Sequence, residues 1–293
     1  MSVILGTNHM FLYPAAMEDA TAHLESIKEL SKTDKVKALD LWLWRGETAK
    51  EEIKILRDSG KIINYNIGDR FGEDTALPAS KSKLERDRAY SLIMREIGYA
   101  LELGSKKIVF GSGPDCPDDR EGAIERYFEF VMRFMKEIPS DVETSFEPTD
   151  RDIHKRFLFG PMNDTVDFIK RVRGEGYSNI GLLIDMCHMP IIYETLESGL
   201  EKGRDVLNHI HLGNCVIKNQ NSPLYGDRHP AWGYEDGEYT EEDGIRFIRM
   251  LREIGYTEKK NATISFEMRP YVGKSAMESL ERFVEVYNKA GIK

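Results

Sequence analysis

Four residues able to bind a cation or move a proton stand at the ends of four widely separated apolar runs. Glu147 closes Val142-Glu143-Thr144-Ser145-Phe146-Glu147, and Asp185 closes Leu182-Leu183-Ile184-Asp185. His211 stands in His209-Ile210-His211-Leu212, and Glu267 closes Thr263-Ile264-Ser265-Phe266-Glu267. Side chains alternate faces along a strand. With these four on one face, Phe146, Ile184, Ile210 and Phe266 fall on the other, where helices would cover them. Three carboxylates and one imidazole on a common face form a ligand set for a divalent metal ion. One acid at a strand end is an ordinary polar terminus, but four in matching register form a pattern.

Residues this far apart in sequence need a scaffold that brings strand ends together. Strand-like runs cover Val3–Asn8, Ala38–Trp44, Lys61–Ile67, Lys106–Gly111, Val142–Glu147, Ile180–Asp185, Asn208–Leu212 and Thr263–Glu267. Helical periodicity fills the intervals Met17–Leu30, Thr48–Ser59, Leu84–Leu103, Ala123–Lys136, Met162–Gly174 and Glu241–Ile254, and a last helix spans Ala276–Ala290. Gly60, Gly104, Gly174 and Gly255 sit at or just past helix ends, where a left-handed backbone is often needed. Eight strands, each followed by a helix or a helix-bearing loop, predict a single α/β domain over residues 1–293, a (β/α)8 TIM barrel. The runner-up, a doubly wound open sheet, lacks a Gly-rich phosphate turn after its first strand. Active sites of (β/α)8 barrels lie at the C-terminal strand ends. The four candidate ligands end strands 5 to 8, neighbours around half the barrel.

Bulk composition agrees with an enzyme of this architecture. The 293 residues, 41% hydrophobic and 31% charged, belong to an ordinary globular chain and argue against disorder. A net charge of −9 disfavours binding to nucleic acid. Cys116, Cys187 and Cys215 have no zinc-finger spacing and are odd in number, so they are expected to be reduced thiols in a cytoplasmic protein. No basic-plus-apolar amino-terminal segment and no long apolar run predict secretion or a membrane span.

The motifs Phe146-Glu147-Pro148, Asp185-Met186-Cys187-His188-Met189 and His209-Ile210-His211-Leu212-Gly213, followed by Glu267, resemble the xylose isomerase-like barrel superfamily. The likeness is strongest to its sugar isomerase and epimerase branch, the ketose 3-epimerases. It runs in order and spacing from strand 5 onward, while the first half matches only in general pattern. The resemblance implies a metal held by Glu147, Asp185, His211 and Glu267, with Mn2+ the first expectation and Co2+, Mg2+ or Zn2+ compatible. It also implies that His188 contacts a substrate oxygen. The chain departs from the epimerase pattern at two places. Ile153 stands where that family has a second glutamate, and Lys218 is the nearest basic residue to a substrate-holding arginine.

The residues suit proton abstraction beside a carbonyl, a proton far too weakly acidic for a carboxylate acting alone. A divalent ion on the carbonyl and an adjacent hydroxyl would stabilise the enediolate. Glu147 and Glu267 could then serve as acid and base on opposite faces of the substrate. Action on both faces gives an epimer, and a proton moved between neighbouring carbons gives an aldose–ketose isomer. The expected partner is thus a sugar or sugar derivative, with a homo-oligomer or an accessory subunit left open.

The long segment after strand 7, Asn214 to about Asp243, contains Tyr225-Gly226-Asp227-Arg228-His229-Pro230-Ala231-Trp232-Gly233. Asp227 and His229 could meet one ligand, or an Asp–Arg pair could simply pin the loop. Zinc-dependent AP endonucleases are similar in an Asp-Arg-His here, and catalytic subunits of C-glycoside deglycosidases in a His-Pro followed by aromatic and Gly residues. The endonuclease needs further histidines on strands 2 and 3, where Trp42, Trp44, Tyr65 and Ile67 stand instead. The deglycosidase, a metal-dependent lyase on an oxidised sugar, and a non-catalytic sugar-binding barrel remain alternatives. Trp44 and His9 are candidate substrate contacts, each balanced by a core reading. Gly111-Ser112-Gly113-Pro114 is a poor phosphate loop, and Lys81, Lys83 and Arg86 form a solvated charge run.

Overall fold

The computed structural model describes residues 3–46, 48–68, 70–73 and 76–291. Eight parallel strands close on themselves in sequence order: β1 (Ile4–Asn8), β2 (Ala38–Leu41), β3 (Ile62–Asn66), β4 (Lys107–Phe110), β5 (Glu143–Phe146), β6 (Ile180–Asp185), β7 (Leu207–Leu212) and β8 (Thr263–Phe266). β8 returns to β1 with Gly6 opposite Ser265. Eight longer helices alternate with the strands: α1 (Ala20–Lys32), α2 (Thr48–Ser59), α3 (Lys83–Glu102), α4 (Arg120–Met135), α5 (Met162–Gly174), α6 (Leu196–Gly203), α7 (Glu241–Glu253) and α8 (Ala276–Lys289). This is the (β/α)8 barrel expected from the alternating pattern. No helix among the described residues is long and apolar enough to cross a membrane.

Strand parity separates two cores. Phe146 packs outward on Phe168 of α5 at 5.3 Å between ring centroids, and Phe266 stacks on Phe283 of α8 at 5.6 Å. The inward positions are polar: Asp40, Asn64, Ser145, His209, His211 and Ser265 are all buried. Desolvated polar groups are tolerated only when hydrogen-bonded; here Asn64, His209, His211 and Ser265 all bond to Asp40, and Ser145 donates to Asn208. Helix starts follow local chemistry. Thr240 with Asp243 and Ser275 with Glu278 form reciprocal capping boxes at α7 and α8.

Three local expectations change. The second strand stops at Leu41 instead of reaching Trp44, because the Trp44 N–H is claimed by Glu52 Oε2 at 2.9 Å and Trp42 lies under the Arg70 guanidinium at 3.7 Å. Between β6 and β7 the chain adds α6, whose Gly199 and Gly203 blur any helical period. A Cβ on Gly203 would come within 2.5 Å of Leu182, so the glycine lets α6 approach the sheet. Gly60, Gly104 and Gly255 adopt the left-handed backbone, whereas Gly174 stays helical and Gly176 takes that conformation at φ 98°.

Glu52 lies buried with its Oε2 3.6 Å from His23 Nε2. Burial pushes the Glu52 carboxyl up to about 7 and pulls His23 down to about 4. For Glu52 the folded value exceeds the ordinary 4.5, so its stabilising contribution is complete below that value and is lost as pH rises through about 7. His23 is common to wild type and variant. Glu52→Gln, which mimics the protonated side chain, should therefore gain in melting temperature relative to wild type between about pH 5.5 and about pH 8.5. A difference that stays flat over this range would show that Glu52 is charged in the fold.

Candidate metal centre

Backbone hydrogen bonding carries the four candidate ligands to one place. Glu147 follows β5, and its N–H donates to Phe110 O at 3.0 Å, extending the ladder by one residue. Glu267 does the same after β8 through Leu212 O at 2.8 Å. Asp185 is the last residue of β6 and His211 the last but one of β7. Each of the four offers a ligand atom within 4.8 Å of the others, and all four are buried.

A second layer aims them. His211 Nε2 lies 3.1 Å from Asp40 Oδ1, which leaves Nδ1 turned toward Glu267 Oε2, with Asp185 Oδ2 at 3.8 Å and Glu147 Oε1 at 3.9 Å. Asp40 also takes His209 Nε2 at 2.6 Å, Ser265 Oγ at 2.5 Å and Asn64 Nδ2 at 3.1 Å. Asn8 Nδ2 donates to Glu267 Oε1 at 2.6 Å, and the Cys187 N–H donates to Asp185 Oδ1 at 2.6 Å. Every one of these bonds leaves the opposite atom of the ligand facing inward. Asp185 Oδ2, His211 Nδ1 and Glu267 Oε2 are buried and make no well-formed hydrogen bond, and the last two stand against each other as an ion pair. Buried polar atoms without such bonds are costly. Three of them pointing into one space, all of metal-ligand type, fit a divalent cation. Orientation of a ligand histidine by an outer carboxylate is the usual companion of such sites.

Electrostatics follow from burial and crowding. Burial raises the Asp185 carboxyl to about 7, with His188 opposing and Glu267 adding to the rise. Burial raises Glu147 as well, against His188 and His211. His211 is pulled down by burial, but facing Glu267 and Asp40 outweigh this and hold it well above its ordinary value. Asp40 would rise on burial, yet His209 and His211 keep it well below the carboxylate range.

Beside the four ligands lies a histidine pair. His188 Nδ1 is 3.5 Å from Glu147 Oε1 and 3.0 Å from Pro148 O, and its Nε2 is 3.2 Å from Asp227 Oδ1. His229 Nε2 meets the same Asp227 oxygen at 2.6 Å. Asp227 and His229 of the β7–α7 loop therefore reach the site.

Three sequence candidates do not join the group. His9 is buried with Nε2 on Ser26 of α1 at 2.7 Å and its ring against His23 at 4.6 Å, so it serves the β1–α1 packing. Trp44 packs on His23 and Trp42 at 5.5 and 6.0 Å. The Lys218 side chain is 68% exposed and pairs with the largely buried Glu238 carboxylate at 2.7 Å. Ile153 packs on the core, and Asp150 takes the N–H groups of Ile153, His154 and Lys155 to close that loop. Asp40 and Gly213 carry no site role in the sequence reading, and Asn8 enters it only as the end of the first strand, beside His9. A lone acid within Ala38-Leu39-Asp40-Leu41, on the inward parity, was a readable signal. Gly213 was not readable: only in space does its missing Cβ matter, since one would lie 2.7 Å from Asp185 Oδ1.

Residues 33–286 match the xylose isomerase-like TIM barrel, and the chain belongs to that family. None of the curated proteins matches its sequence significantly. Among solved structures it is similar to D-psicose 3-epimerase with D-tagatose from Clostridium cellulolyticum H10, with TM-score 0.66 and 16% identity over 98% of this chain and 96% of that one. It is similar also to an AP endonuclease of family 2 from Brucella melitensis, with TM-score 0.69 and 16% identity over 97% and 99%. A third likeness is to 3-keto-D-glucoside 4-epimerase from E. coli, with TM-score 0.62 and 14% identity over 99% of both chains. At such identities the likeness is one of fold.

Asp40→Asn keeps the side chain's size but weakens the acceptor that orients His211. Mn2+ affinity, read by titration calorimetry, should fall about 10–100-fold while the circular dichroism spectrum stays that of wild type. Unchanged affinity would show that Asp40 does not orient a ligand.

Proposed function

We propose that this chain is a divalent-metal-dependent sugar isomerase or epimerase that moves a proton next to a carbonyl. The observation that carries the reading is the convergence of buried ligand atoms, Asp185 Oδ2, His211 Nδ1 and Glu267 Oε2, beside Glu147. Glu147, Asp185, His211 and Glu267 would hold the ion, with Mn2+ the first candidate and Co2+, Mg2+ or Zn2+ compatible with the mixed oxygen and nitrogen donors. When bound, a divalent cation supplies Lewis-acid stabilisation of negative charge developing next to a carbonyl.

The protein's own groups handle the proton. Glu147 and Glu267 follow strands on different sides of the site and present carboxylate oxygens from two directions. Burial raises the Glu147 carboxyl, and its Oε1 stands 3.5 Å from His188 Nδ1. Glu267 has Oε1 held by Asn8 and Oε2 turned into the site beside His211 Nδ1. Both ring nitrogens of His188 are taken by Pro148 and Asp227, which makes its part here the orientation of Glu147.

A second reading, a metal-dependent epimerase or lyase acting on an oxidised glycoside, is favoured by one feature. Ile153 is apolar and Lys218 turns to solvent, so two groups expected to hold a free ketose are not in place. A 3-keto-D-glucoside 4-epimerase is among the similar structures. An endonuclease reading is disfavoured by the net charge of −9 and by the lack of any histidine on β2 (Ala38–Leu41) and β3 (Ile62–Asn66). Cys116, Cys187 and Cys215 are free thiols.

The test is exchange of substrate protons in deuterated water, followed by NMR, with the Mn2+-loaded protein and a panel of ketohexoses, ketopentoses and 3-keto-glucosides. Exchange should vanish with a chelator, return with Mn2+, and fall by roughly a hundredfold or more in Glu267→Gln. The labelled carbon tells isomerase from epimerase. Exchange on keto-glucosides alone selects the second reading, and sugar binding with no exchange on any of them would leave a non-catalytic barrel.

A further inference from the structure

Across the barrel mouth two histidines share one carboxylate oxygen. Asp227 Oδ1 lies 3.2 Å from His188 Nε2 and 2.6 Å from His229 Nε2. The outer ring nitrogens are both used on the main chain. His188 Nδ1 is 3.0 Å from the carbonyl of Pro148, the residue after Glu147, and His229 Nδ1 is 2.8 Å from the carbonyl of Glu267 itself. A continuous bridge thus runs from the end of β5 through His188, Asp227 and His229 to the end of β8. Its ends are the main-chain carbonyls of Pro148, next to Glu147, and of Glu267. All three bridging side chains are buried.

The backbone pays for this arrangement. His229 has φ 52°, in the left-handed region that residues with a side chain seldom enter. Such a conformation persists when surrounding structure enforces it, and here the ring must reach Asp227 and Glu267 together. Cys187, His188, Asp227 and His229 also have ligand atoms within 4.8 Å of one another. They differ from the four-ligand group in one respect: Nδ1 of each histidine is held by a main-chain carbonyl, whereas both ring nitrogens of His211 face carboxylates. A shared carboxylate holding two imidazoles in fixed orientations explains that arrangement without an ion.

We propose that Asp227 is a positioning residue: through His188 and His229 it sets the placement of Glu147 and Glu267 relative to each other. The chemical meaning of that placement rests on the sugar isomerase or epimerase reading, since it decides whether two carboxylates approach one carbon from opposite sides. The bridge itself is a structural assignment that can be tested without turnover.

The experiment uses the full chain loaded with diamagnetic Mg2+ and labelled with 15N-histidine, its imidazole signals assigned with His188→Gln and His229→Gln variants. Asp227→Asn should shift the signals of both His188 and His229 and leave those of His209 and His211, which Asp40 holds. His229→Asn, which removes one end, should shift His188 too. On whichever sugar the wild type exchanges, Asp227→Asn should lower kcat by roughly tenfold with KM within about threefold, and Asp227→Glu should restore part of it. Unshifted histidine signals overturn the bridge whatever the activity. So does a kcat left unchanged in an active enzyme, or the loss in Asp227→Asn of a second bound equivalent of Zn2+, which would make the cluster a cation site. Shifted signals in a protein that exchanges no sugar would sink the sugar reading and leave the bridge standing.

Discussion

The contact between His211 and Asp40 governs the site. Three carboxylates brought within 4.8 Å of one imidazole are electrostatically expensive, because like charges about 4 Å apart repel by on the order of 4 kcal/mol at the effective dielectric of a protein. Asp40 turns His211 so that its free nitrogen faces Glu267, Asp185 and Glu147 rather than the barrel floor. Without it the imidazole could rotate, and the carboxylates would have no fixed positive edge to gather around. Asp40 in turn is affordable at the centre of the barrel only because His209, Ser265 and Asn64 also bond to it.

From that node the polarity of the interior follows. The inward layer is a hydrogen-bonded network linking β2, β3, β7 and β8, and the apolar packing that stabilises the chain lies outside the barrel wall, between strands and helices. Phe146 and Phe266 are the clearest examples, each anchoring on a helix the residue next to a candidate ligand. Packing on the outer face and chemistry on the inner face are thus coupled through adjacent residues. A strand cannot shift by one position without moving both. The histidines on Asp227 add a second tie, this time across the mouth, between the ends of β5 and β8.

The barrel was legible because its signals are local and repeated. Alternating strand and helix patterns, glycines near helix ends and acids at strand ends can each be read in a short window. The four ligand positions were legible for the same reason, since Glu147, Asp185, His211 and Glu267 each terminate an apolar run. What could not be read depends on neighbours distant in the chain. Trp44 looked like a strand end facing the site, but Glu52 takes its N–H and ends the strand early. His9 follows directly on β1, yet Ser26 and His23 hold it against α1. Lys218 had the right sequence neighbourhood and the wrong side-chain partner.

By itself the amino-acid sequence determined the order of elements, which face of each strand is apolar, and where the ligand-type residues fall along the strands. Those are matters of period and residue type, set by backbone geometry within a few residues. The tertiary structure decided which atoms of those residues face one another. Closure of the barrel set Asp40 under His211, gathered the ligand atoms around one space, and brought the β7–α7 loop over to join His188 with His229. These depend on contacts between residues as far apart as Asp40 and His211, and only the closed barrel brings such residues together.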